Sequence, residues 1–334
     1  MFTNSIFNFG IEEKLKKILY IILISCFSIT IFSCAKKDST SSTTSSPLYV
    51  AVGDNGTILT SSDATTWTSR TSGSTEHLYA VTYANSTFVI MGTSGTILTS
   101  SDGTTWTSRT SETTNDLHRG TYGNSTFVVV GDNATGSGTI LTSPDGTTWT
   151  SRTSGTSLRL WDVTYANSTF VVVGMTGTLL TSSDGTSWTS RTSGTTEHLW
   201  GVTYGNSTFV VVGDNETGSG TILTSSDGTT WTSSTSGTTN ELWGVTYGNS
   251  TFVVVGPSGS IYTSSDGTSL TSRTSGITND LWRITYGNSI FVTVSGNWYP
   301  NSGGGDILTS SDGISWTSRT SGTTERLHGV TYKE

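Results

Sequence analysis

The sequence predicts an all-β fold: a seven-bladed β-propeller of four-stranded antiparallel blades, closed by pairing the C-terminal strand with the N-terminal blade. Three observations predict it. From Pro47 to the end one unit recurs seven times, its turn aspartate falling at Asp63, Asp102, Asp145, Asp184, Asp227, Asp266 and Asp312, at intervals of 39, 43, 39, 43, 39 and 46 residues. Each unit holds four short runs rich in β-formers, separated by Gly, Asn, Asp and Ser. The two ends are complementary: the repeats open on a run that lacks its partner, Leu48–Val52, and close on an orphan run, Leu327–Tyr332. Joining them makes a whole blade and removes the exposed sheet edges of an open array, which would need capping repeats.

The elements read clearly in the fifth unit. Thr208–Val212 is strand B, Thr221–Thr224 strand C, Trp231–Thr235 strand D and Leu242–Tyr247 strand A. Asn-Ser-Thr triplets such as Asn85-Ser86-Thr87 and Asn206-Ser207-Thr208 match a glycosylation sequon but read first as A–B hairpin turns. Charged residues are only 12% of the chain, and Gly, Ser and Thr dominate between short apolar runs, a composition that would suggest disorder but for the 11 Trp, 12 Tyr and 11 Phe that supply the apolar area for a core. The net charge of −8 repels polyphosphate, which argues against a nucleic-acid partner.

The first 46 residues read as an address. Lys14, Lys16 and Lys17 precede the mainly apolar run Ile18–Phe32, which is of signal-peptide length and short for a membrane span. The run ends Ile31-Phe32-Ser33-Cys34, followed at once by Ala35-Lys36-Lys37-Asp38 and a Ser/Thr tract. This resembles the lipobox of bacterial lipoproteins, in which the chain is cut before a cysteine that is then acylated. The resemblance implies a signal peptide over 1–33, lipidation at Cys34, a flexible tether over 34–46, and a propeller over 47–334 at the cell envelope, more readily at the outer membrane or cell surface than at the inner membrane. Leu23-Ile24-Ser25-Cys26 fits the lipobox letter by letter but leaves an apolar stub after the cut. Both cysteines lie in this segment, so the propeller has neither a disulfide nor a thiol metal site.

The C–D turns, such as Ser100-Ser-Asp-Gly-Thr-Thr-Trp106 and Ser225-Ser-Asp-Gly-Thr-Thr-Trp231, resemble the Asp-box of sialidase-type, BNR-repeat propellers, one residue shorter than its commonest form. In such a turn the Asp carboxylate accepts backbone N–H groups, Gly takes positive φ, and Trp tucks its ring beneath. Ala64, Pro144 and Leu270 depart from the pattern. The cadence Thr-Ser-Arg-Thr-Ser-Gly-Thr-Thr followed by Gly-Thr-Ile-Leu is similar to propellers of the photosystem II assembly factor type. These resemblances imply a fold; they do not carry function.

A site is an asymmetric constellation, so residues repeated in every unit read as structure. That covers the turn aspartates and the D-strand arginines Arg70, Arg109, Arg152, Arg191, Arg273 and Arg319, which the sequence places on an exposed outer strand. Variation concentrates in the D–A connections and B–C loops, at one end of the ring. There strand A, after its Leu, carries Tyr79, His118, Trp161, Trp200, Trp243, Trp282 and His328 around the channel, followed by Ala80, Arg119, Asp162, Gly201, Gly244, Arg283 and Gly329. The aromatic set reads in two ways, as packing between blades or as a rim of ring faces that stack on a ligand. Trp298 and Tyr299, in the longest B–C loop, are further interface candidates. The Asp/Asn/Gly loops from Asp132 and Asp214 read as turns, since no Ca²⁺-loop spacing is present.

Sialidase chemistry, as that resemblance implies it, needs an arginine triad, a Tyr/Glu nucleophile pair and an acid. Arg119, Arg159, Arg283, Arg326 and Asp162 fall at the variable end, but the N-terminal Arg-Ile-Pro-type motif is absent and no Glu stands out as a partner for a tyrosine. No cofactor motif and no metal-ligand spacing appears. The expectation is a monomeric, non-catalytic propeller that binds a protein or glycan through the D–A and B–C face and meets the membrane only through a lipid anchor. Its alternative is an assembly or scaffold factor for an envelope complex.

Overall fold

The computed structural model describes residues 47–214, 219–296 and 305–334. The signal-type segment, Cys34, the tether, Trp298 and Tyr299 lie outside the described residues.

Valine-rich runs such as Phe209-Val-Val-Val212 form the second strand of every blade because both of their faces are buried, the pattern of a doubly covered strand. Alternate residues serve opposite blade faces. Tyr49 and Ala51 pack with Val292, Val294 and Ile307 of the preceding blade, whereas Val50 and Val52 pack with Leu78, Val81, Phe88 and Ile90 of the next. The core is thus a circle of interfaces between neighbouring blades, each centred on a fully buried aromatic such as Phe88, Phe127 or Phe170.

The result is seven four-stranded antiparallel sheets, each ordered A-B-C-D from the axis outward. The closing blade joins both termini, with Leu327–Lys333 paired antiparallel to Leu48–Gly53 from Leu48↔Lys333 to Gly53↔Leu327. Six A–B hairpins turn on Asn-Ser pairs, both residues at positive φ (47° and 58° at Asn85 and Ser86), the type I′ geometry that matches strand twist.

The seven Asp turns hold their shape by the expected bonds. Asp102 Oδ1 accepts the N–H groups of Thr104 and Thr105 at 2.8 and 2.9 Å, and the Ser100 hydroxyl at 2.9 Å. Below the turn, Trp149 Nε1 donates to Gly146 O at 3.0 Å. Ala64 takes the glycine's place at φ 61°.

The D-strand arginines differ from their expected role. Each is half-buried and folds back, Nε donating to a strand-C threonine at 2.8 Å, as Arg70 does to Thr60 and Arg319 to Thr309. They fasten the short outer strand to its blade. Strand A of the fifth unit's run starts at Gly244, two residues later than its sequence pattern predicts.

Candidate binding site

The site begins with a backbone irregularity that recurs at one end of the channel. In six blades a glycine lies at or beside the end of strand B, and at Gly131 an added Cβ would lie 1.9 Å from Asp116 O. The close approach coincides with a register shift: Leu117 faces Gly131 and Arg119 faces Val130, so His118 is an unpaired bulge residue. The same shift skips Tyr79, Trp161, Trp200, Trp282 and His328. Bulging turns these side chains away from the sheet and into a collar. In the remaining blade Trp243 sits just before strand A, its N–H bonded to Val255 O at 2.9 Å.

The predicted aromatics therefore come together, and they come together by touching one another. Ring contacts run from Trp243 through Trp282 (4.6 Å, 16°), His328 and Tyr79 to His118 (5.3 Å, 29°), then to Trp161 and Trp200 (4.8 Å, 30°). Ring faces meet in the three flattest pairs, whereas His328 meets Tyr79 and Trp282 edge to face. A cavity of about 810 Å³ opens over the collar, lined by all seven of these side chains.

Arg119 and Arg283 form the floor. Arg119 donates to the carbonyls of Tyr79, His118 and His328, and Arg283 to those of Trp243, Trp282 and Trp200. Each guanidinium thus ties together the collar backbone of three consecutive blades. Small residues make room for it: at Gly201, Gly244 and Gly329 a Cβ would come within 3.0 Å of a collar carbonyl. Asp162 is their counter-charge, accepting from Val163 N at 2.8 Å and Val202 N at 3.2 Å. Burial and then the like charge of Arg283 weigh against the Arg119 cation, with Asp162 opposing them. These three groups are braced by the backbone.

The rim holds three aspartates at the ends of B strands. Asp54 meets His328 Nε2 at 2.7 Å, Arg326 Nε at 2.5 Å and His77 Nδ1 at 2.9 Å. Asp132 meets His118 Nε2 at 2.5 Å and Arg159 Nε at 3.3 Å, and the Arg159 guanidinium lies 5.8 Å from the Trp161 ring centre. Among the described residues no Arg, Lys or His lies within ion-pair distance of Asp214, and Glu241 acts on it as a like charge. Burial raises the Asp54 carboxyl, but His328 and Arg326 outweigh it and bring it down to about 2. Burial and Glu241 leave Asp214 raised, against the lowering influence of Trp200 and His198. Burial, then Asp116, Asp54 and Asp132, push the Tyr79 phenol up to about 12. Burial lowers His328, although Asp54 works the other way.

Sequence reasoning missed Asp54 and gave Asp132 and Asp214 no role beyond turns. The signal was a Gly-Asp pair closing strand B in units one, three and five. Asn133 Oδ1 bonds the N–H groups of Thr135 and Ser137, so that loop is the turn expected of it. Among the described residues no group of three or more His, Cys, Asp or Glu is placed to hold a metal ion, and no helix is long and apolar enough to cross a membrane.

No protein-family model matches the chain, and no curated protein matches it in sequence. Solved structures do match its shape. YCF48 bound to D1 peptide is 15% identical with a TM-score of 0.57, covering 73% of this chain and 80% of that one. YCF48 from Cyanidioschyzon merolae is 15% identical with a TM-score of 0.53, covering 72% and 84%. The computationally designed protein Ika8 is 13% identical with a TM-score of 0.60, covering 85% and 87%. At these identities the likeness establishes the propeller fold alone.

Proposed function

We propose that this chain is a non-catalytic binding propeller of the cell envelope, which takes a segment of a partner protein at the channel mouth. One observation carries the reading. In a chain whose units are nearly identical, the residues that differ from blade to blade converge on a single cavity of about 810 Å³. Peptide is favoured over glycan because sugar stacking needs free ring faces, and the collar's faces are occupied by one another at 4.6–5.3 Å in its three flattest pairs. What the mouth leaves open, the half-exposed Arg159 and the corner of Asp214 and Glu241, suits hydrogen-bonding groups. That YCF48 has been solved with D1 peptide supports a peptide at a propeller of this shape. Hydrolysis is disfavoured because the arginines are spent on carbonyls and two of the three rim aspartates on built-in cations. The C–D turns resemble Asp-box repeats, and on this reading they are scaffold.

The address follows from Lys14–Lys17, the apolar run to Phe32 and Cys34, which support a lipid-anchored protein with the propeller outside the cytoplasm. Cys34→Ser should abolish labelling by an alkyne palmitate analogue; labelling that persists in it and stops in Cys26→Ser moves the anchor.

The binding test uses random hexapeptide and glycan arrays side by side, with the wild-type chain and Ala134→Trp. Ala134 is an exposed residue on the cavity wall, so tryptophan there fills the mouth without touching the collar's packing. Peptide signal lost in the variant is the expected result. Glycan signal alone, or peptide signal unchanged by the block, overturns the reading.

A further inference from the structure

We infer that the corner formed by Asp214 and Glu241 is a subsite for a cation carried by the ligand, an ammonium or guanidinium group. The inference rests on the reading of the channel mouth as a peptide site and names the charge that site selects.

The argument is a comparison within the ring. Asp54, Asp132 and Asp214 occupy the same position, one residue past the end-of-strand glycine, in the closing blade and in two others. Each meets the collar residue of its own blade, which is His328, His118 and Trp200 in turn. Each also meets the residue two before the collar position of the next blade, which is His77, Arg159 and Glu241. At the first corner His77 and Arg326 surround the carboxylate, and at the second Arg159 does so while lying over Trp161. At the third the same position carries an acid. Glu241 bears on Asp214 there as a like charge, both line the cavity, and Asp214 Oδ1, near the Trp200 side chain, is a buried atom that no donor meets at hydrogen-bond geometry. A buried acceptor without a donor costs stability unless something supplies one.

No neighbour among the described residues fills the role. His198 Nδ1 accepts the Thr176 N–H at 3.1 Å, so that nitrogen has no proton to offer Asp214. Arg283 lies below, bound to the carbonyls of Trp200 and Trp243, with Asp162 as its charge partner. Glu241 is held in place by Trp243 Nε1, which donates to Oε2 at 2.8 Å. A lysine or arginine of the ligand entering between Trp200 and Trp243 would restore what Arg159 does at the second corner, an ion pair and a contact with an indole.

The test uses the full chain in detergent and four pools of fluorescein-labelled, terminally blocked hexapeptides, random except for a fixed central Lys, Arg, norleucine or Glu. Fluorescence anisotropy should show the Lys and Arg pools binding about tenfold or more tighter than norleucine, the scale of a desolvated charge pair. Glu241→Gln and Asp214→Asn should each collapse that preference. Glu241→Arg, which rebuilds the second corner's arrangement, should abolish binding of the Lys and Arg pools while the melting temperature holds or rises. Equal binding of the norleucine pool, or a preference that survives both neutral substitutions, overturns the cation subsite and leaves the peptide site standing. Binding of no pool overturns both.

Discussion

Asp54 ties the two ends of the chain together, and its loss should open the ring's weakest seam. It sits at the end of the first strand, while its partners Arg326 and His328 belong to the last. Burial opposes its ionisation, yet these partners bring its carboxyl from 3.8 to about 2. That gap is worth about 2.5 kcal/mol. At 5% exposure, solvent screens little of it. Asp54→Asn also strands Arg326, so the expected loss at pH 7 is roughly 2.5–5 kcal/mol. For a domain of this size that is a fall in melting temperature of roughly 5–10 °C. The sign follows from a depressed folded pKa: the contribution is whole above the unfolded value and disappears as pH falls through it toward about 2. Calorimetry and urea unfolding of wild type and variant should therefore show a gap at pH 7 that closes by pH 2. A gap below about 0.5 kcal/mol at pH 7, smaller than ordinary surface substitutions produce, would refute the reasoning, as would one that stays constant with pH.

Other positions give sharper contrasts. Burial holds His328 below its ordinary value, so the unfolded chain takes up the proton first; stability should fall as pH drops below about 6.5, and His328→Gln should flatten that slope in a thermal series. Gly213→Ala puts a Cβ 2.0 Å from His198 O and should cost about 3 kcal/mol or more by breaking the bulge, whereas Gly237→Ala meets nothing and should cost only about 1 kcal/mol for its positive φ, both read by urea unfolding. Trp149→Phe loses a bond to Gly146 O, while Trp106 Nε1 has no partner, so the first substitution should destabilise by about 1 kcal/mol more than Trp106→Phe.

The fold was legible because each blade states its own turns. Asn-Ser pairs at positive φ and Ser-Asp-Gly turns depend on residues two or three apart, and repetition averages away the ambiguity of any one strand. The clasp that the D-strand arginines make on strand C was not legible, because their partner lies ten residues back across a hairpin, as Thr60 does from Arg70, and only the register reveals it. The collar was legible as a set of positions. Its geometry was not, because a bulge leaves no trace in an apolar pattern, and whether a ring offers its face or its edge depends on its neighbour's rotation. Asp54 escaped notice for a further reason: its partners lie more than 270 residues away, on the strand that closes the ring.

The division of labour in this chain has a physical cause. The contacts that shape a blade are local or shared with the next blade: the aspartate turn, the arginine clasp on strand C and the interleaved valines. None of them involves the collar side chains, whose backbone is held by the glycine behind the bulge and by the two floor arginines. A collar residue can therefore change from Trp200 to His118 or Tyr79 while its blade keeps the same register shift. The rim follows the same logic, where one position carries His77, Arg159 or Glu241 beside an unchanged aspartate. Seven near-copies of one unit thus make an asymmetric mouth with a handful of substitutions, in which two of the three aspartate corners carry their own cation and the third carries Glu241.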